Sequence, residues 1–404
     1  MNYNSTSNRQ EIPIDIDKLV DEKSNSRDRT KLIAFYLPQY HPTPENDEWW
    51  GKGFTEWTNV AKSQPLFPGH YQPQLPADLG FYDLRLPETR VSQAQLAQAY
   101  GIYGFCYYHY WFNGRMILER PFNEVLESGS PDFPFCLCWA NENWSRRWDG
   151  SEQSILLEQK YDEYDPIEHI TWLEAAFQDS RYITIEGKPL LLVYKAGEIP
   201  NMSEIISKWR QYAKAKGYPD LYICFVRKTG GSTTLDNQHF LDLGFDAHID
   251  FQPDTSILNK DRNERTLNYL PTWIEMIISK LIARIFKVIA VRYQLFSNRA
   301  VENLNRLDGT VFPCVFPSWD NTARRGKLFP FISQNSRAEL YGKWLSTSIE
   351  KVADRSKDEK IVFINAWNEW AEGCHLEPDT KNGREFLEVT KVVLDRHQHD
   401  RLQK

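Results

Sequence analysis

No GxxxxGK[ST] loop, no GxGxxG after an apolar run, and no HExxH or GxSxG segment occurs in these 404 residues. Their absence removes the common readings as a P-loop enzyme, a dinucleotide-binding protein, a zinc protease or a serine hydrolase. An excess of positive charge is missing too: 48 Lys+Arg against 55 Asp+Glu leave a net charge of -7. A chain whose main partner is a nucleic-acid backbone is normally basic, so nucleic acid is not an expected partner, although a local basic patch remains allowed. Cysteines are few. Cys106, Cys136, Cys138, Cys224, Cys314 and Cys374 stand one or two at a time inside apolar runs, without the tight spacing of a zinc site or a disulfide scaffold, and read as reduced and mostly buried. Residues 1–30 are polar, with no sustained period and no apolar core of a secretory signal; they read as a disordered leader on a cytoplasmic protein. With 41% hydrophobic and 25% charged residues, the remainder should fold in water.

Short apolar runs recur from Lys31 onward, most of them separated by stretches with helical spacing. Eight can be counted, at residues 32–37, 104–108, 135–139, 190–194, 221–226, 247–251, 311–316 and 361–366. Continuous apolar runs of this length fit strands covered on both faces, as parallel strands are. Helices are expected near 87–100, 166–177, 203–214, 337–352 and 385–396, with Gly101 and Gly217 as C-terminal stops. The α/β pattern points to a (β/α)8 TIM-type barrel with loop insertions, forming a single domain over 31–397; a doubly wound open sheet is the rival. The widest gap holds a helical insertion at about 254–308, including the amphipathic stretch 273–291. Glu275, Lys280, Arg284 and Lys287 interrupt that stretch, whereas a membrane span needs about 20 nearly charge-free residues. Lys280, Arg284 and Lys287 share one face, opposite Ile277, Ile278, Leu281, Ile285, Val288 and Ile289. A helix packed on the barrel and a helix in peripheral membrane contact both fit this pattern.

Aromatics are plentiful, with 14 Trp, 20 Tyr and 22 Phe, and Trp and Tyr offer flat apolar faces with a polar edge. In a barrel, functional side chains belong at the C-terminal ends of the strands. The expected strand ends carry Tyr40, His41, Glu56 and Trp57; His109, Tyr110 and Trp111; Asn141, Glu142 and Trp144; Trp319 and Asp320; and Asn365, Trp367 and Asn368. Flat aromatics beside short hydrogen-bonding groups match the faces and hydroxyls of a sugar, so an oligosaccharide or polysaccharide is the expected partner. Glu369 and Glu372 follow the eighth run, three residues apart, and a proton donor paired with a carboxylate is what glycosidic-bond chemistry requires. The same spacing also occurs on solvated helices. Arg324 and Arg325 fit either a bound phosphate or carboxylate or a surface ion pair. His375, Glu377 and Asp379 form an incomplete metal-ligand set.

The segments AFYLPQYHP, GFTEWTNV, GFCYYHYWF, WANENWSRRWDG and NAWNEWAEGCHLEPD together resemble the WbsX family of bacterial surface-polysaccharide proteins, over about residues 31–395. That family is commonly labelled as glycosyltransferases because it is encoded with O-antigen and capsule synthesis genes. It is similar to glycoside hydrolase family 99, endo-acting α-mannosidases and mannanases built on a (β/α)8 barrel. The resemblance implies that Glu369-Trp370-Ala371-Glu372 corresponds to the hydrolase Glu-Trp-x-Glu segment. Glu369 would then draw the proton from the sugar 2-hydroxyl, giving an epoxide-like intermediate, and Glu372 would be general acid and then base, with retention and with no metal or nucleotide cofactor. Ala371 stands where the hydrolases carry histidine, so a mannose preference does not carry over. Three functions follow as alternatives: a glycosidase or transglycosylase of surface-polysaccharide (O-antigen, lipopolysaccharide or capsule) metabolism, a glycosyltransferase using an activated donor, and a non-catalytic glycan-binding barrel or scaffold.

Overall fold

Each of eight short strands is followed by a helix, and the strands pair in parallel into one closed ring. The computed structural model describes residues 29–146, 151–227, 237–258, 288–307, 309–326 and 330–402. The strands are β1 (Lys31–Tyr36), β2 (Gly104–Phe112), β3 (Phe135–Trp139), β4 (Lys188–Val193), β5 (Tyr222–Arg227), β6 (Ala247–Asp250), β7 (Val311–Val315) and β8 (Ile361–Ile364). Neighbours in sequence are neighbours in the ring, and β1 closes it by pairing with both β8, Lys31 opposite Ile361, and β2, Ile33 opposite Gly104. The helices are α1 (Pro87–Ala99), α2 (Arg120–Ser128), α3 (Pro166–Phe177), α4 (Met202–Ala215), α5 (Asn237–Asp242), α6 (Tyr293–Asn305), α7 (Ala338–Lys351) and α8 (Glu385–Leu402). This is the (β/α)8 barrel expected from the eight apolar runs.

Burial on both sides explains those runs. Inside the ring, Phe35 meets Tyr108, Phe251 and Phe363 at ring separations of 5.1–5.5 Å, filling the barrel as a packed core. Between strands and helices, Trp139 lies against His169 and Trp209. Local signals set the helix limits: α3 starts with Pro166 behind an Asp165 cap whose carboxylate accepts the Ile167 N–H, and α1 stops before Gly101 at φ 85°, as such residues favour. All six cysteines are free and buried.

Two sequence expectations change. β2 runs to Phe112 and turns back through Arg115–Ile117 as a hairpin, so His109, Tyr110 and Trp111 lie within a strand and not beyond its end. Of the expected amphipathic helix 273–291, residues up to 287 lie outside the described residues, and Ile289–Val291 belong to a strand, Ile289–Arg292, that pairs in parallel with Phe331–Gln334. Among the described residues no helix is long and apolar enough to cross a membrane.

Candidate active site

The chain leaves β8 and folds back at once. Asn368–Glu369 pairs antiparallel with Cys374–His375, and the residues between, Trp370–Glu372, form one 3-10 turn. Residues three apart eclipse in such a turn, so Glu369 and Glu372 project to the same side. Gly373 closes the turn at φ 55°, and a Cβ there would lie 2.9 Å from both the backbone N and O of Asp320. Its absence permits the close approach by which Asp320 N–H donates to the Glu372 carbonyl at 2.7 Å and Ser318 Oγ to the Gly373 carbonyl at 2.6 Å.

Below the turn, buried polar side chains hold it. Asn368 accepts from Leu37 N at 2.7 Å and donates to Leu37 O at 3.0 Å, tying the turn to the end of β1. The Tyr40 hydroxyl donates to the Asn368 carbonyl and accepts from Trp370 N–H. Glu377 accepts from Trp370 Nε1, Gln93 Nε2 and Tyr82 OH at 2.6–2.8 Å. Burial pushes the Glu377 carboxyl up to about 7, partly offset by those three donors.

Above the turn, one guanidinium faces three carboxylates. Arg324, on the short helix Thr322–Arg325 after β7, donates to Glu372 through Nη1, while its Nη2 lies 3.2 Å from Glu369 Oε2 and 3.6 Å from Glu56 Oε1. Glu56, at the start of the short helix Glu56–Lys62, is fully buried and also accepts from Ala371 N–H at 3.2 Å. Burial raises Glu369 to about 8 and Glu56 to about 7, with Arg324 opposing and the other carboxylates adding to the rise. Burial works against the Arg324 charge, but Glu372, Glu369 and Glu56 overcome it and keep the guanidinium charged. Three acids around one cation leave a surplus of negative charge, so a proton resides in the cluster near neutral pH, and burial favours Glu369 as its holder.

The cluster borders a cavity of about 140 Å³ at the C-terminal end of the barrel. Of the residues singled out from sequence, Glu369, Glu372, Glu142, Trp144, Trp319, Tyr110 and Arg324 line it. Glu56 reaches it through Arg324. The others sit elsewhere. Tyr40, Asn368 and Trp57 pack beneath the turn, Trp57 tilted against Trp370 at 5.3 Å, and Trp367 is buried against Phe105. Asn365 donates to the Gln252 carbonyl, and Asn141 pins Lys195 and Tyr161. His41 is buried and pushed down to about 4 by that burial. Asp320 is occupied by His70, Gln72 and Thr322 N–H. His109 and Trp111 lie on the outer face of β2, where the His109 ring meets His169 Nε2 to Nε2 at 3.0 Å and Trp111 stacks on His169 at 4.7 Å. Their neighbours Tyr108 and Tyr110 face the cavity instead, together with Tyr194, Phe251 and Arg324. Strand alternation is the signal that separates Tyr108 and Tyr110 from His109 and Trp111; for Arg324 the only local signal is a cation placed just beyond β7.

Among the described residues no group of three His, Cys, Asp or Glu side chains could hold a metal ion. His375 stacks flat on Trp370, ring centroids 3.6 Å apart, and the Asp379 carboxylate accepts from Lys381 and Asn382 N–H.

A family model described as Glycosyltransferase WbsX matches residues 32–390. The WxcX proteins of two Xanthomonas campestris pv. campestris strains are 39% identical over 377 residues, which is 90% of this chain and 50% of each relative. The chain therefore spans about half the length of the curated relatives it matches. Among solved structures, the GH99 endo-alpha-mannosidase of Bacteroides thetaiotaomicron superposes with a TM-score of 0.53 at 13% identity, covering 92% of this chain and 98% of that one. A glycoside hydrolase-like protein superposes at 0.52 and 14% identity, over 91% and 94%. At these identities the likeness is one of fold.

Proposed function

The chain belongs to the glycosyltransferase WbsX family, and from that membership we propose that it is a carbohydrate-active enzyme that cleaves or transfers at a glycosidic bond of a bacterial surface polysaccharide. One observation carries the proposal: Glu369 and Glu372 face a single aromatic-walled cavity at the C-terminal end of the barrel, with Arg324 spanning them. Tyr108, Tyr110, Trp144 and Trp319 supply flat walls for a sugar ring, and the two carboxylates supply an acid and a base.

The roles depend on where Arg324 points. Arg324 grips Glu372, and burial favours Glu369 as the holder of the proton. A sugar entering against Glu372 separates it from Arg324, whose Nη2 already lies 3.2 Å from Glu369. The guanidinium then holds Glu369 ionised, as the base that takes the 2-hydroxyl proton, while Glu372, deprived of its cation, carries the proton to the leaving oxygen. Attack by the 2-oxygen closes a three-membered ring at the anomeric carbon. Glu372 next draws a proton from the incoming acceptor hydroxyl, whose oxygen opens the ring, and Glu369 returns its proton to the 2-oxygen. Water as acceptor gives hydrolysis, and a sugar hydroxyl gives transfer.

The test uses leaving groups. Glu372→Gln loses turnover of an unactivated oligosaccharide but keeps measurable turnover of an aryl glycoside whose leaving group needs no proton, whereas Glu369→Gln loses both. Full activity of Glu372→Gln on the unactivated substrate would sink the assignment. Product analysis by mass spectrometry with and without nucleotide sugars separates the two directions: shorter glycans without any donor mean hydrolysis, and extension only with a donor means transfer.

A further inference from the structure

Of the three carboxylates around Arg324, two are within its grasp and the third is just out of reach. Nη1 donates to Glu372 and Nη2 lies 3.2 Å from Glu369 Oε2, but Nη2 stands 3.6 Å from Glu56 Oε1, beyond a hydrogen bond. Glu56 is 0% exposed, and its Oε2 is buried with no hydrogen-bond partner. Oε1 accepts only the Ala371 N–H, at 3.2 Å. Buried polar atoms are normally hydrogen-bonded, so a fully buried carboxylate with one oxygen unfilled calls for a reason. A glutamate in the first turn suits the end of the helix Glu56–Lys62. That role needs neither full burial nor an unfilled oxygen beside a guanidinium.

The surroundings hold Glu56 still. Its backbone N–H donates to the Gln39 carbonyl at 3.1 Å. The next residue, Trp57, packs on Tyr40 at 4.9 Å and on Trp370 at 5.3 Å, and its Nε1 donates to the Tyr82 carbonyl at 2.9 Å. The Ala371 bond then ties the carboxylate to the very turn that carries Glu369 and Glu372. Arg324 is the movable partner, with a long side chain that is 20% exposed.

We propose that Glu56 is a second seat for Arg324: when a sugar displaces the guanidinium from Glu372, Arg324 moves onto the unfilled Glu56 carboxylate while keeping Glu369. Glu56 is thus a positioning residue, acting through Arg324 and not on the sugar. A guanidinium leaving Glu372 with only Glu369 to receive it would lose a charged partner in a buried site, which is costly. The seat at Glu56 replaces that partner, so the exchange is close to balanced. The proton that Glu369 gives up is taken by Glu372, and the cluster keeps three carboxyl groups, one cation and one proton throughout. This consequence for acid–base catalysis rests on the function proposed above; the second seat itself rests on the geometry of Glu56 and Arg324.

Crystal structures of the wild type and of Glu372→Gln, both without sugar, test the seat directly. Removing the Glu372 charge takes the place of the displacing sugar, and Arg324 is expected within hydrogen-bond distance of Glu56 in the variant, still holding Glu369. A guanidinium that stays on the new amide, or turns away from Glu56, would overturn the proposal. Urea unfolding supplies a double-mutant cycle. Glu56→Gln is expected to shift the midpoint further toward unfolding in the Glu372→Gln background, where Arg324 sits on Glu56, than in the wild type; equal shifts would refute the seat. Turnover separates positioning from a merely structural role. With the seat removed Arg324 stays on Glu372, so Glu56→Gln is expected to lose turnover of an unactivated oligosaccharide by about tenfold or more, yet keep that of the aryl glycoside whose leaving group needs no proton. Equal losses on the two substrates, or none on either, would contradict it. Should Glu56→Gln not fold, the Glu372→Gln structure decides alone; should Glu372→Gln not fold, Glu372→Asp, one methylene shorter, replaces it. The structures and the unfolding cycle involve no sugar, so they decide on the seat even if the chain does not act on glycosidic bonds. The leaving-group test of Glu372→Gln decides on the acid wherever Arg324 sits.

Discussion

Replacing Glu369 by Gln should stabilise the protein in alkali and leave it nearly unchanged in acid, a direction opposite to that of most active-site carboxylates tied up in ion pairs. Burial raises Glu369 from 4.5 to about 8 against the pull of Arg324. A carboxyl raised on folding binds more protons folded than unfolded, so its contribution is complete below the unfolded value near 4.5 and is lost as pH rises through about 8. At about 1.4 kcal/mol per pH unit, a lone group with this span would lose roughly 5 kcal/mol. Glu56 titrates in the same cluster and takes up part of that change, which leaves about 2–5 kcal/mol for the substitution to recover. Gln resembles the protonated acid in shape and cannot ionise. Wild type and variant should therefore have similar urea midpoints near pH 4.5, and the variant should gain from about pH 5 to 8 and level off above that, followed by fluorescence of the 14 Trp. A wild-type-to-variant difference that stays constant from pH 5 to 9 would refute a buried, proton-holding Glu369.

Two further outcomes follow from groups outside the cavity. Glu377→Leu orphans the three buried donors Trp370 Nε1, Gln93 Nε2 and Tyr82 OH, at about 1–3 kcal/mol each; Tm should drop sharply and turnover with it, while Glu377→Gln keeps part of both. The buried pair His109 and His169 is held neutral, His109 pushed down to about 3 and His169 well below its usual value, in both cases by burial. Histidines lowered on folding stabilise above the unfolded value near 6.5, and that stability is lost as pH falls below it, by about 1.4 kcal/mol per pH unit for each. His109→Phe keeps the stacking on Trp172, 4.4 Å away, and should flatten the acid limb of a Tm-versus-pH curve between 4.5 and 6.5 while lowering Tm at pH 7; an unaltered slope would contradict a neutral pair.

The barrel was legible because its strands are covered on both faces. Such a strand must be apolar at every position, so the runs at 32–37, 135–139 and 361–366 mark β1, β3 and β8 directly. Shorter elements escaped. Arg115–Ile117, Ile289–Arg292 and Cys374–His375 are strands of two to four residues whose partners, and not their composition, make them strands. Glu369 and Glu372 stand three residues apart in sequence, and the 3-10 turn between them, with its repeat of three, is what aligns them.

The site was legible by segment and not by residue, and β2 shows why. GFCYYHYWF reads as one cluster of stacking and hydrogen-bonding groups. In an extended strand, however, a shift of one position exchanges the inside of the barrel for its outside. His109 and Trp111, chemically the most suggestive residues of the segment, take the outer parity and build the packing against α3, whereas Tyr108 and Tyr110 take the inner parity and reach the cavity. Parity can be assigned only once a neighbour is placed: Phe35 stacks on Tyr108 at 5.5 Å, and that contact needs the β1–β2 register. Arg324 is the stronger case. Alone in sequence it fits an ion pair on any surface, and its meaning comes from Glu56 after β1 and from Glu369 and Glu372 after β8, brought to one guanidinium by closure of the ring. Its closest carboxylate partner in sequence is Glu369, 45 residues away, so no local window contains the cluster. Strand ends are thus where sequence can locate chemistry, and ring closure decides which side chains share a proton.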